Sequence, residues 1–112
     1  METLDILKII NESALDKKAE NVKVLDITGI SIMADYMLIA SGSNKNQIQA
    51  ICDNILEAIH KNNIVQQSLE GYDSANWILI DAGDIIVHIF DRESRSFYDL
   101  ERLYKDGTYL TL

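Results

Sequence analysis

The chain has a single cysteine and no proline in 112 residues. One cysteine excludes an internal disulfide and any zinc site built on paired cysteines. The absence of proline decides little. Long apolar runs are also missing, and none approaches the ~20 residues that a membrane-crossing helix requires. The opening METLDILK carries no basic stretch ahead of an apolar one, as a secretory signal would. The expectation is a soluble, cytoplasmic protein. Basic residues are scarce as well: 10 Lys and Arg stand against 18 Asp and Glu, a net charge of −8, and no basic run exceeds Lys17-Lys18. Nucleic-acid binding draws on Lys and Arg to neutralise phosphates, so this balance argues against RNA or DNA as a direct partner. It favours a basic protein surface, although the same charge also serves plain solubility.

What is present suits one domain spanning residues 1–112. A chain of this length buries roughly 65% of the surface its unfolded form exposes, enough for one core. A hydrophobic content of 47% argues against disorder.

Leu4, Leu7, Ile10 and Ala14 make an apolar helical face from about Thr3 to Asn21. Val22–Ile27 alternates like a half-buried strand until Thr28-Gly29, and Tyr36–Ser41 is apolar enough for a strand covered on both faces. Ser43-Asn44 opens a second helix, with Asn44 and Gln47 as a capping pair. Ile48, Ile51, Cys52, Ile55 and Ile59 form its inner face, and Asn62-Asn63 ends it. Cys52 therefore reads as a small core residue, not a nucleophile. Ile64–Leu69 is a weaker strand near a sheet edge. Trp77–Asp81 and Ile85–Phe90 flank Ala82-Gly83 and read as a β-hairpin. Arg92–Tyr104 reads as a last helix with Phe97, Leu100 and Tyr104 turned inward. The order α-β-β-α-β-β-β-α predicts a mixed α/β fold in which helices cover a mixed five-stranded sheet.

Chemistry-bearing residues concentrate in Leu69–Tyr104. Depending on hairpin register, Trp77, Asp81 and His88 share one sheet face, an amphipathic platform for a protein partner. On composition alone a strand His is more often a hydrogen-bonded structural residue than a ligand, and a lone Trp77 more often core. Arg95, Tyr98 and Glu101 fall off the inward stripe of the last helix, and Tyr and Arg often anchor interfaces. The plain alternative is a solvated helix with Arg95 paired to a local carboxylate.

This stretch resembles the ribosomal silencing factors, the Iojap-related proteins. The matching strings are Glu70-Gly71, Trp77-Ile78-Leu79-Ile80-Asp81, Val87-His88-Ile89-Phe90, Arg95 and Phe97-Tyr98-x-Leu100-Glu101-x-Leu103. With the N-terminal half included, the resemblance covers nearly the whole chain. It implies a nucleotidyltransferase-like sheet and a translational repressor without cofactor. Such a repressor docks on ribosomal protein fourteen of the large subunit, on the face that meets the small subunit, and blocks subunit joining. It also implies homodimers. Carried over by motif, the contact residues are Trp77, Asp81, His88, Phe90, Arg95, Tyr98 and Glu101. The family pattern often ends this helix with Trp where the chain has Tyr104, which leaves position 104 unassigned.

The implied fold also raises an enzyme alternative. Nucleotidyltransferases bind triphosphate at a Gly-Ser after a strand and hold magnesium on an Asp-x-Asp or Asp-x-Glu pair. Gly42-Ser43 fits the first motif, and Asp91-Arg92-Glu93 is the only Asp-x-Glu that follows a strand. Asp53-Asn54-Ile55 lacks the second acid. Asp91 and Glu93 open the last helix, where acids suit the helix dipole without any metal. Gly42-Ser43 is expected to be a structural turn, and alanine at position 42 to destabilise the fold if its φ is positive. Ser41, His88 and Asp81 could be drawn as a hydrolytic set, but no Gly-x-Ser-x-Gly elbow exists. The sequence reads as a binding protein; an assembly factor that leaves joining unblocked is the remaining alternative.

Overall fold

A computed structural model describes residues 2–112. In chain order it contains α1 (Thr3–Asp16), β1 (Glu20–Asp26), β2 (Tyr36–Gly42), α2 (Lys45–Lys61), β3 (Ser68–Glu70), β4 (Trp77–Asp81), β5 (Ile85–Asp91), α3 (Arg92–Tyr98), α4 (Leu100–Leu103) and β6 (Thr108–Leu110). The sheet is mixed, in the order β3-β4-β5-β2-β1-β6. Only β2 and β5 run parallel; every other neighbour is antiparallel.

The sheet has six strands, not five. β6 has no signature in the sequence, because the three residues after Asp106-Gly107 carry no periodicity of their own. It exists because Val24, Leu25 and Asp26 offer it an open edge of β1. α1 stops at Asp16 rather than Asn21, since Lys18 takes a left-handed φ of 61° and the chain turns into β1. The weak strand is confined to Ser68–Glu70.

α2 begins as its residues dictate. The Asn44 side chain accepts from the Gln47 N–H at 2.8 Å, and Gln47 Oε1 accepts in return from the Ser43 N–H at 2.6 Å. The same Gln47 amide donates to the carbonyls of Lys17 and Lys18, tying the end of α1 to the start of α2. Ile48, Ile51, Cys52, Ile55 and Ile59 are all buried against the sheet with Leu7, Ile10 and Ala14 of α1. Cys52 is fully buried, and burial pushes its thiol up to about 12. It is an inert core residue.

The opposite sheet face is covered less completely. Leu25, Ile27, Met37, Ile39 and Phe90 form a second core there, roofed by Trp77, Leu100 and Tyr104. The expected single last helix is broken at Asp99, which adopts φ 48°, ψ 55°. That break turns Phe97 outward, 79% exposed, so the predicted inward stripe holds for Leu100 and Tyr104 but not for Phe97. No helix among the described residues is long and apolar enough to cross a membrane.

Candidate functional site

The hairpin register resolves which residues share a face. Trp77 lies opposite Phe90, Leu79 opposite His88 and Asp81 opposite Ile86. Directly opposed residues of an antiparallel pair project to the same side. Trp77, Asp81, His88 and Phe90 therefore stand together on the less covered face.

They form an aromatic stack braced by a hydrogen bond. Trp77 Nε1–H donates to His88 Nδ1 at 3.0 Å, and the Trp77 ring lies 5.0 Å from Phe90 and 4.6 Å from Tyr98. Phe97 meets Tyr98 edge-on at 5.1 Å. His88 is 7% exposed, and burial pulls its pKa from 6.5 down to about 4. At neutral pH it is uncharged, with Nδ1 as acceptor and the ring proton on Nε2. His88 is thus a support for the indole. Phe90 is fully buried and forms the floor of the stack, so it offers a rigid partner no surface of its own. Tyr98 is 49% exposed. It lies off the inward stripe, yet one side of its ring is already occupied by Trp77.

Arg95 and Glu101 are engaged with each other. The Arg95 guanidinium donates to Glu101 Oε1 at 2.6 and 3.1 Å, and to Ser41 Oγ at 2.9 Å. Its side chain is only 13% exposed. The pair spans the kink between α3 and α4 and fastens it to the end of β2. Asp81 accepts from the Gly83 N–H at 2.9 Å and so shapes the hairpin turn, where Gly83 has the φ of 83° expected of it.

The enzyme alternative meets a mixed result. Gly42 and Asp91 are paired neighbours at the ends of the parallel strands, so distance does not exclude a site there. The groups themselves are occupied. Asp91 Oδ1 caps α3 through the Ser94 N–H at 2.7 Å, and Ser43 Oγ bonds Gln47 Oε1 at 2.8 Å. No group of three or more His, Cys, Asp or Glu able to hold a metal occurs among the described residues. Gly42 is not among the residues with positive φ. A methyl there would come within 2.7 Å of Ile48 Cγ1, so glycine is needed for close packing of α2 rather than for the turn. Ser41, His88 and Asp81 do not converge: Ser41 serves Arg95 and His88 serves Trp77.

The chain matches the family model described as "Ribosomal silencing factor during starvation" over residues 1–111. It belongs to the ribosomal silencing factor family. Among curated silencing factors, RsfS of Bacillus subtilis is 43% identical over 107 residues, covering 96% of this chain and 91% of that protein. The chloroplastic Iojap protein of Zea mays is 29% identical across 99% of this chain, which matches 48% of its length. A crystal structure of a Bacillus halodurans protein superposes with a TM-score of 0.88 at 36% identity, covering 98% of this chain and 100% of that one. One from Chromobacterium violaceum gives 0.92 at 28%, covering 100% and 92%. As a silencing factor, the chain has a regulatory role tied to the ribosome and a mixed α/β fold shared with these structures.

Sequence reasoning missed the shape beside the stack. A cavity of about 350 Å³ opens on the same sheet face, bounded by Met37, Leu79, Ile86, His88, Glu70 and Asp81 among others. A signal was there in Glu70-Gly71, which the family strings include but which was not counted among the contacts.

Proposed function

We propose that this silencing factor represses translation by docking on ribosomal protein fourteen of the large subunit, where it blocks joining of the small subunit. The observation that carries this reading is the Trp77–Tyr98 pair, a half-exposed Tyr98 ring 4.6 Å from a partly buried indole, with the Asp81 carboxylate further along the same sheet face as Trp77. Preorganised aromatic anchors bind at low entropic cost. Trp77, Tyr98 and Asp81 touch the partner in this reading, and His88 and Phe90 support Trp77 from below. Arg95 and Glu101 hold α3 and α4 in place. A net charge of −8 suits a basic protein partner inside an RNA-rich particle.

Cosedimentation with purified subunits tests it. The chain should travel with large subunits and not with small ones. Tyr98→Ala should weaken that binding about thirtyfold, the loss of an anchor of roughly 2 kcal/mol. Because Tyr98 stacks on Trp77, the variant should also lose about 1 kcal/mol of stability while remaining folded. Unchanged subunit binding by a folded Tyr98→Ala protein would remove this surface from the interface.

The adjacency of Gly42 and Asp91 sustains one competing reading, a nucleotide site at the strand ends. Magnesium with nucleoside triphosphate should leave the melting temperature unchanged, since a ligand that binds only the folded state must raise it. A rise of several degrees would favour the nucleotide site.

A further inference from the structure

Glu70 pairs with Leu79 and Ser68 with Asp81 across the antiparallel β3–β4 ladder, so both carboxylates share the face that carries Trp77. Two concavities adjoin there. One of about 300 Å³ is bounded by Glu70, Gly71, Trp77 and Leu79, and the cavity of about 350 Å³ shares Glu70 and Leu79 with it. They make one trough along β4, from Trp77 at one end to Asp81 at the other. Its floor is apolar, its wall carries Glu70 and Asp81, and no Lys or Arg lines it. Among the described residues, the ion pairs are Arg92–Glu20 and Arg95–Glu101, so Glu70 is not neutralised by a neighbouring cation.

The geometry points to this trough as the receptor for an arginine side chain of a basic protein segment, with Glu70 and Trp77 as its recognition pair. The inference deepens the docking reading above and rests on it for the identity of the partner. An aliphatic stem lies on Leu79, the planar guanidinium packs against Trp77 where it borders the trough, and its fork meets the Glu70 carboxylate. Lysine lacks both the plane and the fork. A purely apolar segment would strand the carboxylates away from water without a counter-ion. Phosphate would be repelled, and a second copy of a chain carrying −8 brings the wrong charge.

The test compares Glu70→Lys with Glu57→Lys, which makes the same charge change on an exposed position of α2, across the sheet. Glu70→Lys should weaken large-subunit binding at least about tenfold, and Glu57→Lys less than about twofold, as expected of a charge reversal inside rather than outside an interface. Equal losses would mean that net charge alone acts and would overturn the assignment, as would full binding by Glu70→Lys. If the wild-type chain fails to sediment with large subunits, a capped Leu-Arg-Leu peptide followed by amide and indole NMR decides. Shifts confined to Trp77 Nε1–H, Leu79 and Glu70, and lost with citrulline in place of arginine, keep the trough while sinking the ribosomal partner. Unmoved signals overturn the trough itself.

Discussion

Gly71→Ala should cost roughly 2–4 kcal/mol, a large share of the 5–15 kcal/mol that holds a domain together. Gly71 has φ 78°, which an alanine adopts only under strain. A Cβ at this position would also run into the carbonyl oxygen of Trp77. That atom is backbone, fixed by the pairing of β4 with β3 and β5, so it cannot swing aside as a side chain would. Gly83→Ala supplies the comparison. Gly83 has φ 83°, but a Cβ there meets nothing within 4 Å. Its cost should stay near the ~1 kcal/mol of the conformational term alone. Urea unfolding of both variants separates the two contributions. Equal midpoints would show that the Gly71 turn relaxes freely, and that close approach to Trp77 is not what demands glycine.

The second large effect is acid destabilisation through His88. The unfolded chain takes up the His88 proton near pH 6.5, whereas the folded chain takes it up only near 4, because protonation would charge a buried ring. The unfolded state therefore binds more protons across this interval, and stability falls as the pH drops through it. The contribution is fully present above pH 6.5 and amounts to about 3 kcal/mol lost by pH 4. Asp26 is held below its ordinary 3.8 by hydrogen bonds from Thr28, and Glu20 below its ordinary 4.5 by Arg92. Those carboxylates lose their contributions only at lower pH, so the slope above pH 5 belongs chiefly to His88. In His88→Gln, whose side-chain carbonyl can still accept from Trp77, that slope should flatten. Denaturant midpoints across pH 5–7 measure it, and an identical slope in both proteins would place the titrating group elsewhere.

Long-period elements were legible from the sequence because a repeating side-chain pattern reports burial directly. The inner face of α2 and the capping by Asn44 emerged residue for residue, and the β4–β5 hairpin with its glycine turn emerged with β5 one residue longer than expected. The unpatterned pieces were not legible. β6 is too short to show alternation, and its existence depends on an edge that another strand leaves open. The Asp99 kink has no breaker to announce it, since neither glycine nor proline stands there, and it moved Phe97 from the core to the surface. Motif resemblance gathered residues of one sheet face and the helices beside it but could not rank depth. It put the fully buried Phe90 and the clasped Arg95–Glu101 pair on the same footing as the half-exposed Tyr98. Depth and pairing are three-dimensional quantities, and the trough beside Glu70 exists only once three strands are aligned.

The strand order has a consequence for how the molecule comes apart. Everything after α2 returns to what precedes it twice, through β5 laid along β2 and through β6 laid along β1, on opposite sides of the β1–β2 pair. The early strands are gripped between late ones. Neither half can close its own sheet, and the second clasp joins Val24 to Leu110, across about three-quarters of the chain. Such contacts form slowly, because a long loop must be ordered before any bond rewards it. Once formed, they leave no sub-region free to melt separately. Loss of structure should be all-or-none, and the innermost amides of β2 and β5 should exchange with solvent only through complete unfolding.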